Sequence, residues 1–405
     1  MLLDLPTALG MQPFQPRAPW LTSDLQTLRD SLRPVALPPD TGTPQTIPVG
    51  GGDQLLALLD RPLHGLEPLG LVLLLHGLGG SSEREGLRRM GLTLQHAGFA
   101  VLRLNMRGAG PGRALARGTY AARCNSDVLP VLHRARELAA QLGAELEPAT
   151  ELSGPARSLP LLGMGISLGG TKLLNALLAD AAERRAAGLE AEGPLLDGLV
   201  CISSPLDLEA CSRQIERPRN RIYQYWLLRR LVQQTLADPF GVSAAERAAL
   251  EGRGPLGRLG SIRDFDAAIT APRWGYPDVE TYYRRASPIH GLLLELERDP
   301  ATARLDRPSP LPPTLIVHAA DDPWVPVGAC QQLARALPAA GQPLEVLITA
   351  QGGHNGFHAR CDSRLCNDPR GVPGNWGDRL TARWFRRLVG VSGNGSPWRV
   401  IPGGR

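Results

Sequence analysis

One pattern governs the chain from residue 55 onward. Short apolar runs at 55–59, 69–75, 99–104, 159–164, 196–202, 314–318 and 344–349 alternate with helically spaced stretches at 86–95, 125–142, 171–185, 327–337 and 376–389. Each run is four to eight residues long, mostly apolar and bounded by Gly, Pro or Asp, as expected of a strand buried on both faces. Strand–helix alternation of this kind restricts the chain to a mainly parallel sheet with right-handed crossovers and helices on its faces. Composition agrees: 43% hydrophobic and 20% charged residues over 405 positions exclude a disordered, collagen-like or coiled-coil chain. A chain this long can bury a large core.

The alternation also divides the chain. Residues 1–50 form a proline-rich, irregular arm with one short helix at 23–32, capped by Ser23 or Asp24, and the arm is expected to wrap over a core. Residues 51–211 are the first part of the sheet core and 313–391 the second. Between them, 212–312 carries aromatic and basic helical segments (221–236, 244–250, 282–296) and no convincing strand. Its apolar content is too high for a linker, so it reads as a helical cap or lid. Residues 143–158 read as a surface loop and 392–405 as a tail.

Net charge is +5, but the positive residues are scattered, and Lys172 is the one lysine among 44 basic residues. The pairs Arg184-Arg185, Arg229-Arg230 and Arg386-Arg387 read as solvated helix faces rather than a nucleic-acid groove. Six cysteines in a chain of this length do not make a disulfide scaffold. The first ten residues lack a basic segment followed by an apolar run, and no apolar run is long enough to span a bilayer. The expectation is a cytoplasmic protein with no transmembrane segment and no nucleic-acid partner.

The chemistry concentrates around Gly165-Ile-Ser167-Leu-Gly169. An apolar run precedes it, and Leu173, Leu174, Leu177 and Leu178 follow at helical spacing. Strand, Gly-x-Ser-x-Gly and helix together describe a sharp turn that exposes a serine hydroxyl at a helix N-terminus, where developing negative charge is stabilised. The plain alternative is a glycine-rich turn with a buried, satisfied serine. A serine of ordinary pKa needs a base, and the base needs an orienting acid. Of the eight histidines, His354 alone follows the last strand run in a glycine-rich loop, Gly352-Gly-His354-Asn-Gly356. Loops at the carboxyl ends of parallel strands are where ligands collect. The acid is expected after the preceding strand run, where Asp321 and Asp322 stand; Asp322, four residues before Pro326, is preferred, though either could cap a helix. The order Ser167, Asp322, His354 is that of α/β-hydrolases. Two backbone donors are needed for an oxyanion: Leu168 N–H beside the serine, and Leu78 N–H in the loop His76-Gly-Leu78-Gly-Gly80.

These segments resemble the α/β-hydrolase superfamily, and within it the bacterial YheT-like hydrolases and their eukaryotic ABHD relatives. The matching pieces are Trp20-Leu-Thr-Ser-Asp-Leu-Gln-Thr27, His76-Gly-Leu-Gly-Gly-Ser81, Asn105-Met-Arg-Gly108, Gly165-Ile-Ser-Leu-Gly-Gly170, Ser203-Ser-Pro-Leu-Asp-Leu208, Tyr282-Tyr-Arg-Arg-Ala-Ser287, Asp321-Asp-Pro323 and Gly352-Gly-His-Asn-Gly-Phe357. The resemblance implies an α/β-hydrolase fold and hydrolysis of carboxylic esters, short to medium acyl or lipid-like, through Ser167, Asp322 and His354, with no metal or organic cofactor. The same residues would serve a thioesterase or acyltransferase. A non-catalytic binding protein on this fold is disfavoured by the intact serine, histidine and aspartate. Residues 358–375 depart from the family pattern.

Rival signals are weaker. His354, His358, Cys361 and Cys366 have spacing that could hold tetrahedral zinc, but His354 cannot both close a zinc site and serve Ser167. The run from Asn105 to Gly110 lacks the lysine and spacing of a phosphate loop, and Arg107 reads as an ion-pair partner or site neighbour. Tyr223, Tyr225, Trp226, Tyr282 and Tyr283 read as cap packing rather than a substrate groove.

Overall fold

The computed structural model describes residues 4–146, 158–189, 192–252, 259–298, 311–337, 344–362 and 374–390. Its centre is an eight-stranded sheet: β1 (Thr43–Gly50), β2 (Asp53–Asp60), β3 (Leu71–Leu75), β4 (Ala100–Asn105), β5 (Leu161–Ile166), β6 (Gly198–Ile202), β7 (Thr314–Ala319) and β8 (Leu344–Thr349). The spatial order is β1-β2-β4-β3-β5-β6-β7-β8. β1 and β2 pair antiparallel, β2 meets β4 antiparallel, and β4 through β8 are parallel.

The apolar runs explain the layering. Every residue of β3 is buried, and side chains alternate along it: Leu71, Leu73 and Leu75 join the core on one face, Val72 and Leu74 the core on the other. The first face is covered by helices Asn125–Leu146 and Leu168–Ala187, the second by Glu85–His96 and Trp376–Leu388. The topology places the site. β4 lies on one side of β3 and β5 on the other, so the strand order reverses at β3, and a crevice opens at the carboxyl ends of β3 and β5. The loop from His76 and the turn at Ser167 both sit at that crevice.

Several expectations need correction. The arm is not irregular through residue 50: Thr43–Gly50 is an edge strand, closed onto β2 through Gly51-Gly52. Pro44 and Pro48 hid it, since prolines are tolerated in a strand at a sheet edge. The helix Ser23–Leu32 forms, but Thr22 caps it, its side chain accepting from Leu25 N–H. The segment read as one helix at 282–296 is two, Val279–Ala286 and Pro288–Arg298, parted at Ser287, where the following proline disfavours helical backbone. The second packs on Leu168–Ala187 and on Gly328–Ala336, against the sheet core rather than over the site. The helix begun at Asn125 continues to Leu146, into the stretch read as a loop; most of that stretch, like the 392–405 tail, lies outside the described residues. The arginine pairs are not merely solvated: Arg184 is buried against Asp180, Arg230 bonds Gly79 O, and Arg386 bonds Ala97 O. Arg107 clamps Asp127 and also pairs with Asp53.

Between β6 and β7, after the helix Leu208–Ile215, the helices Arg221–Leu236 and Ala244–Leu250 and the helical stretch from Ile262 to Arg273 build a separate apolar cluster around Leu228, Leu231, Phe265 and Ile269. Among the described residues no helix is long and apolar enough to cross a membrane.

Candidate active site

Ser167 stands where β5 passes into the helix Leu168–Ala187, with φ 52° and ψ −125°. Positive φ costs a non-glycine residue on the order of 1–3 kcal/mol, so the surroundings must over-determine it. Ser167 N–H donates to Ile202 O (2.8 Å), and Gly170 N–H returns to Ser167 O (3.0 Å). The flanking glycines are steric requirements. A Cβ at Gly165 would lie 2.2 Å from Gly170 N, and one at Gly169 would lie 2.4 Å from Leu75 O.

The structure brings the expected imidazole and carboxylate to this hydroxyl. His354 Nε2 is 2.9 Å from Ser167 Oγ, and His354 Nδ1 is 2.9 Å from Asp322 Oδ2. With Nδ1–H donated to the carboxylate, Nε2 is free to accept from the serine. The other Asp322 oxygen accepts from Trp324 N–H (2.8 Å) and Val325 N–H (2.9 Å). Burial works to raise the Asp322 carboxyl, but the charge and hydrogen bond of His354, His318 and the Val325 N–H outweigh it and hold it below the ordinary value. Asp321 serves the loop instead, accepting from Gly353 N–H (2.9 Å). The Trp324 ring stacks on His354 with centroids 4.5 Å apart.

Sequence reasoning missed the supports of these loops. The arm holds the His354 loop: Thr27 Oγ1 accepts from His354 N–H (2.9 Å) while donating to Ser23 O (2.8 Å). Gln26 takes His358 N–H and donates to His358 O. The segment Trp20 to Thr27 was read as part of an arm helix and as a family resemblance, without a role at the site. On the other side, the His76 ring fixes its own loop. Its Nδ1 lies 2.8 Å from Gly77 O, and its Nε2 lies 3.2 Å from Met106 N–H, which requires the neutral Nδ1–H tautomer. Burial, with nearby Lys172, depresses that imidazole to about 3. Tyr120 Oη accepts from Gly79 N–H (2.7 Å), and Lys172 Nζ sits 3.8 Å above the Tyr120 ring. Lys172 is fully buried, and burial pulls its ammonium down to about 8. The one lysine in the sequence was the available signal.

A cavity of about 360 Å³ opens on this constellation. Leu78 and Leu168 line it beside Ser167, and Leu231, Phe265, Tyr282 and Tyr283 form the wall opposite the sheet. The tyrosines Tyr282 and Tyr283 are therefore both packing and wall, whereas Tyr225 and Trp226 are exposed rather than packed. Asp266, also in the wall, receives Tyr283 O–H (2.9 Å); burial raises its carboxyl to about 6. Of the rival zinc spacing, His358 faces Asp30 (Nε2 to Oδ1 3.2 Å), and Cys366 lies outside the described residues. Among the described residues no group of three or more His, Cys, Asp or Glu is arranged to hold a metal.

A serine at a strained strand-to-helix turn, an imidazole after the last strand and a carboxylate after the one before it, on a sheet of this order, define the α/β-hydrolase class. The chain belongs to the alpha/beta hydrolase family, whose model matches residues 72–365. It is similar to the "Putative esterase YheT" of Escherichia coli, 34% identical over 203 residues that make up 49% of each chain. It is also similar to the "Phospholipase ABHD3" of Mus musculus, 27% identical over 73% of this chain and 60% of that one. A third relative, the "Medium-chain fatty acid ethyl ester synthase/esterase 2" of Saccharomyces cerevisiae, is 25% identical over 64% of this chain and 52% of its own. The chain thus spans 49% to 60% of the length of these relatives.

Proposed function

We propose that the protein is a serine hydrolase of carboxylic esters, of short to medium acyl or lipid-like type. One observation carries the reading: His354 lies 2.9 Å from Ser167 Oγ through Nε2 and 2.9 Å from Asp322 through Nδ1. That is the spacing at which a proton passes from a hydroxyl to a base already held in the required tautomer. Ser167 Oγ attacks the ester carbonyl as its proton moves to His354. Asp322 stabilises the imidazolium. Leu78 and Leu168 N–H groups hold the oxyanion, and His354 then protonates the leaving alcohol. Water, deprotonated by His354, attacks the acyl-enzyme and releases the acid, restoring Ser167. The residues need no metal or organic cofactor for these steps.

The printed names of the relatives, an esterase, a phospholipase and an ethyl ester synthase/esterase, support the ester class. The last also favours acyl transfer to an alcohol as a second reading, with the alcohol replacing water. The cap, expected over 212–312, is proposed to run from about Leu208 to Ala286, since the helix Pro288–Arg298 packs on the sheet core, and it supplies one wall of the cavity. Free thiols at Cys124, Cys201, Cys211, Cys330 and Cys361 suit the reducing cytoplasm, where we place the protein. The test is a panel of p-nitrophenyl esters from acetate to palmitate, with and without added ethanol. Turnover with an optimum at short or medium chains, lost in Ser167→Ala, is expected. An optimum at palmitate contradicts the acyl range, and turnover unchanged in Ser167→Ala contradicts the whole reading.

A further inference from the structure

The helix Arg221–Leu236 is apolar on two opposite sides. Leu227, Leu228, Leu231 and Thr235 are buried, and Leu227 and Leu231 line the cavity. At 3.6 residues per turn, Ile222, Tyr225, Trp226, Arg229 and Gln233 fall within about 60° of one another's common direction, on the side away from those four. That outer side is uncovered. Ile222 is 82% exposed, Tyr225 59% and Trp226 46%, and Arg221, Arg229 and Gln233 are exposed with them. The helix contains three arginines and no acidic residue. Arg217 and Arg219 precede it, both exposed, with Arg219 meeting Asp24 of the arm. Exposed Leu21 lies three positions before that aspartate.

We propose that this outer face docks on an anionic lipid surface. Aromatic side chains and an isoleucine at the level of the headgroups, flanked by arginines whose stems can lie along the apolar layer, are the chemistry of an interfacial helix. Exposed Arg217, Arg221 and Arg229, set against exposed Glu216 and with no acid on the helix itself, select an anionic surface over a neutral one. A second copy of the chain would bring the same arginines face to face, and this charge argument decides between the two occupants. The docked helix is also a wall of the cavity, and its Arg230 stacks on Trp226 (4.6 Å) while donating to Gly79 O (2.8 Å) in the loop beside Ser167. A lipid-like ester would thus be met next to the residues that act on it. The inference deepens the ester reading, but binding is measured without hydrolysis.

Ser167→Ala protein is sedimented with vesicles of phosphatidylcholine alone and of phosphatidylcholine mixed with phosphatidylserine. Binding to the mixed vesicles is expected to be at least about tenfold stronger and to weaken in high salt. Adding Ile222→Ser with Tyr225→Ser is expected to abolish it. In the otherwise wild-type protein this pair leaves p-nitrophenyl acetate turnover unchanged, since neither side chain lines the cavity. No binding, or equal binding by the pair, overturns the proposal. So does a wild-type dimer that the pair converts to monomer, which would make a second copy the occupant. Vesicle binding by a wild-type protein that hydrolyses no ester would defeat the ester reading and leave the docking surface standing.

Discussion

Two loops flank Ser167, and they are held in different ways. The His354 loop is fixed by side-chain hydrogen bonds from other segments: neutral Thr27 and Gln26 of the arm take His354 N–H and bracket His358, and the Asp321 carboxylate takes Gly353 N–H. The loop from His76 to Gly80 is fixed from within the core by a neutral imidazole, a buried tyrosine hydroxyl and an ammonium over that tyrosine's ring. The first device satisfies backbone donors at small cost. The second buries a charge, which is expensive unless the surroundings repay it. In the proposed mechanism the base keeps one orientation through two proton transfers, and its supports are directional bonds. In the same proposal the other loop keeps a donor aimed at a charge that appears only in the transition state, and a stiff, dry surrounding suits that task.

The largest effects should come from the residues both loops serve. His354→Ala should lower kcat by about 10⁶-fold, and Asp322→Asn by about 10⁴-fold with KM little changed, both read on p-nitrophenyl butyrate. Equal, small losses would break the assignment of Asp322 as the group that orients the imidazole.

Lys172 tests the buried-charge side through stability. Its folded pKa, about 8, lies below the ordinary 10.5. Below pH 8 both states are charged and the full burial cost is present. Between 8 and 10.5 the unfolded chain holds the extra proton, so stability rises with pH. Relative to Lys172→Met, the wild type should gain on the order of 3 kcal/mol across that window in urea unfolding. A flat difference would mean that the ammonium is not buried in this way.

Smaller effects separate the two loops. Tyr120→Phe keeps the ring under Lys172 but leaves Gly79 N–H without its acceptor, and should reduce kcat roughly tenfold. Thr27→Val removes the acceptor of His354 N–H and should cost a few-fold to about tenfold in kcat, while Thr27→Ser, which keeps the hydroxyl, should restore it. Equal losses in both Thr27 variants would make the arm a matter of packing rather than of orientation.

Much of this was readable before any coordinates. The parallel strands are mostly apolar runs, broken by Arg103 in β4 and Glu345 in β8, so β3 through β8 stand out, and Ser167, Asp322 and His354 each follow one of them. What escaped reading has physical causes. β1 is an edge strand whose prolines mimic an irregular segment. Thr27 and Gln26 act through backbone groups more than 300 residues away in sequence, as the separations of 327 and 332 positions show, and no local pattern encodes such pairing. Tyr120 lies in a loop with no periodicity to mark it. Lys172 was conspicuous by composition, yet its position above an aromatic ring is a tertiary fact.

The central claim is that Ser167 is a nucleophile made reactive by His354. Intact-mass measurement after treatment with a fluorophosphonate tests it most directly. One adduct per chain on the wild type, mapped to Ser167 by peptide sequencing and formed far more slowly on His354→Ala, is the predicted result. A folded wild-type protein that takes up no label, or is labelled at another residue, would contradict it.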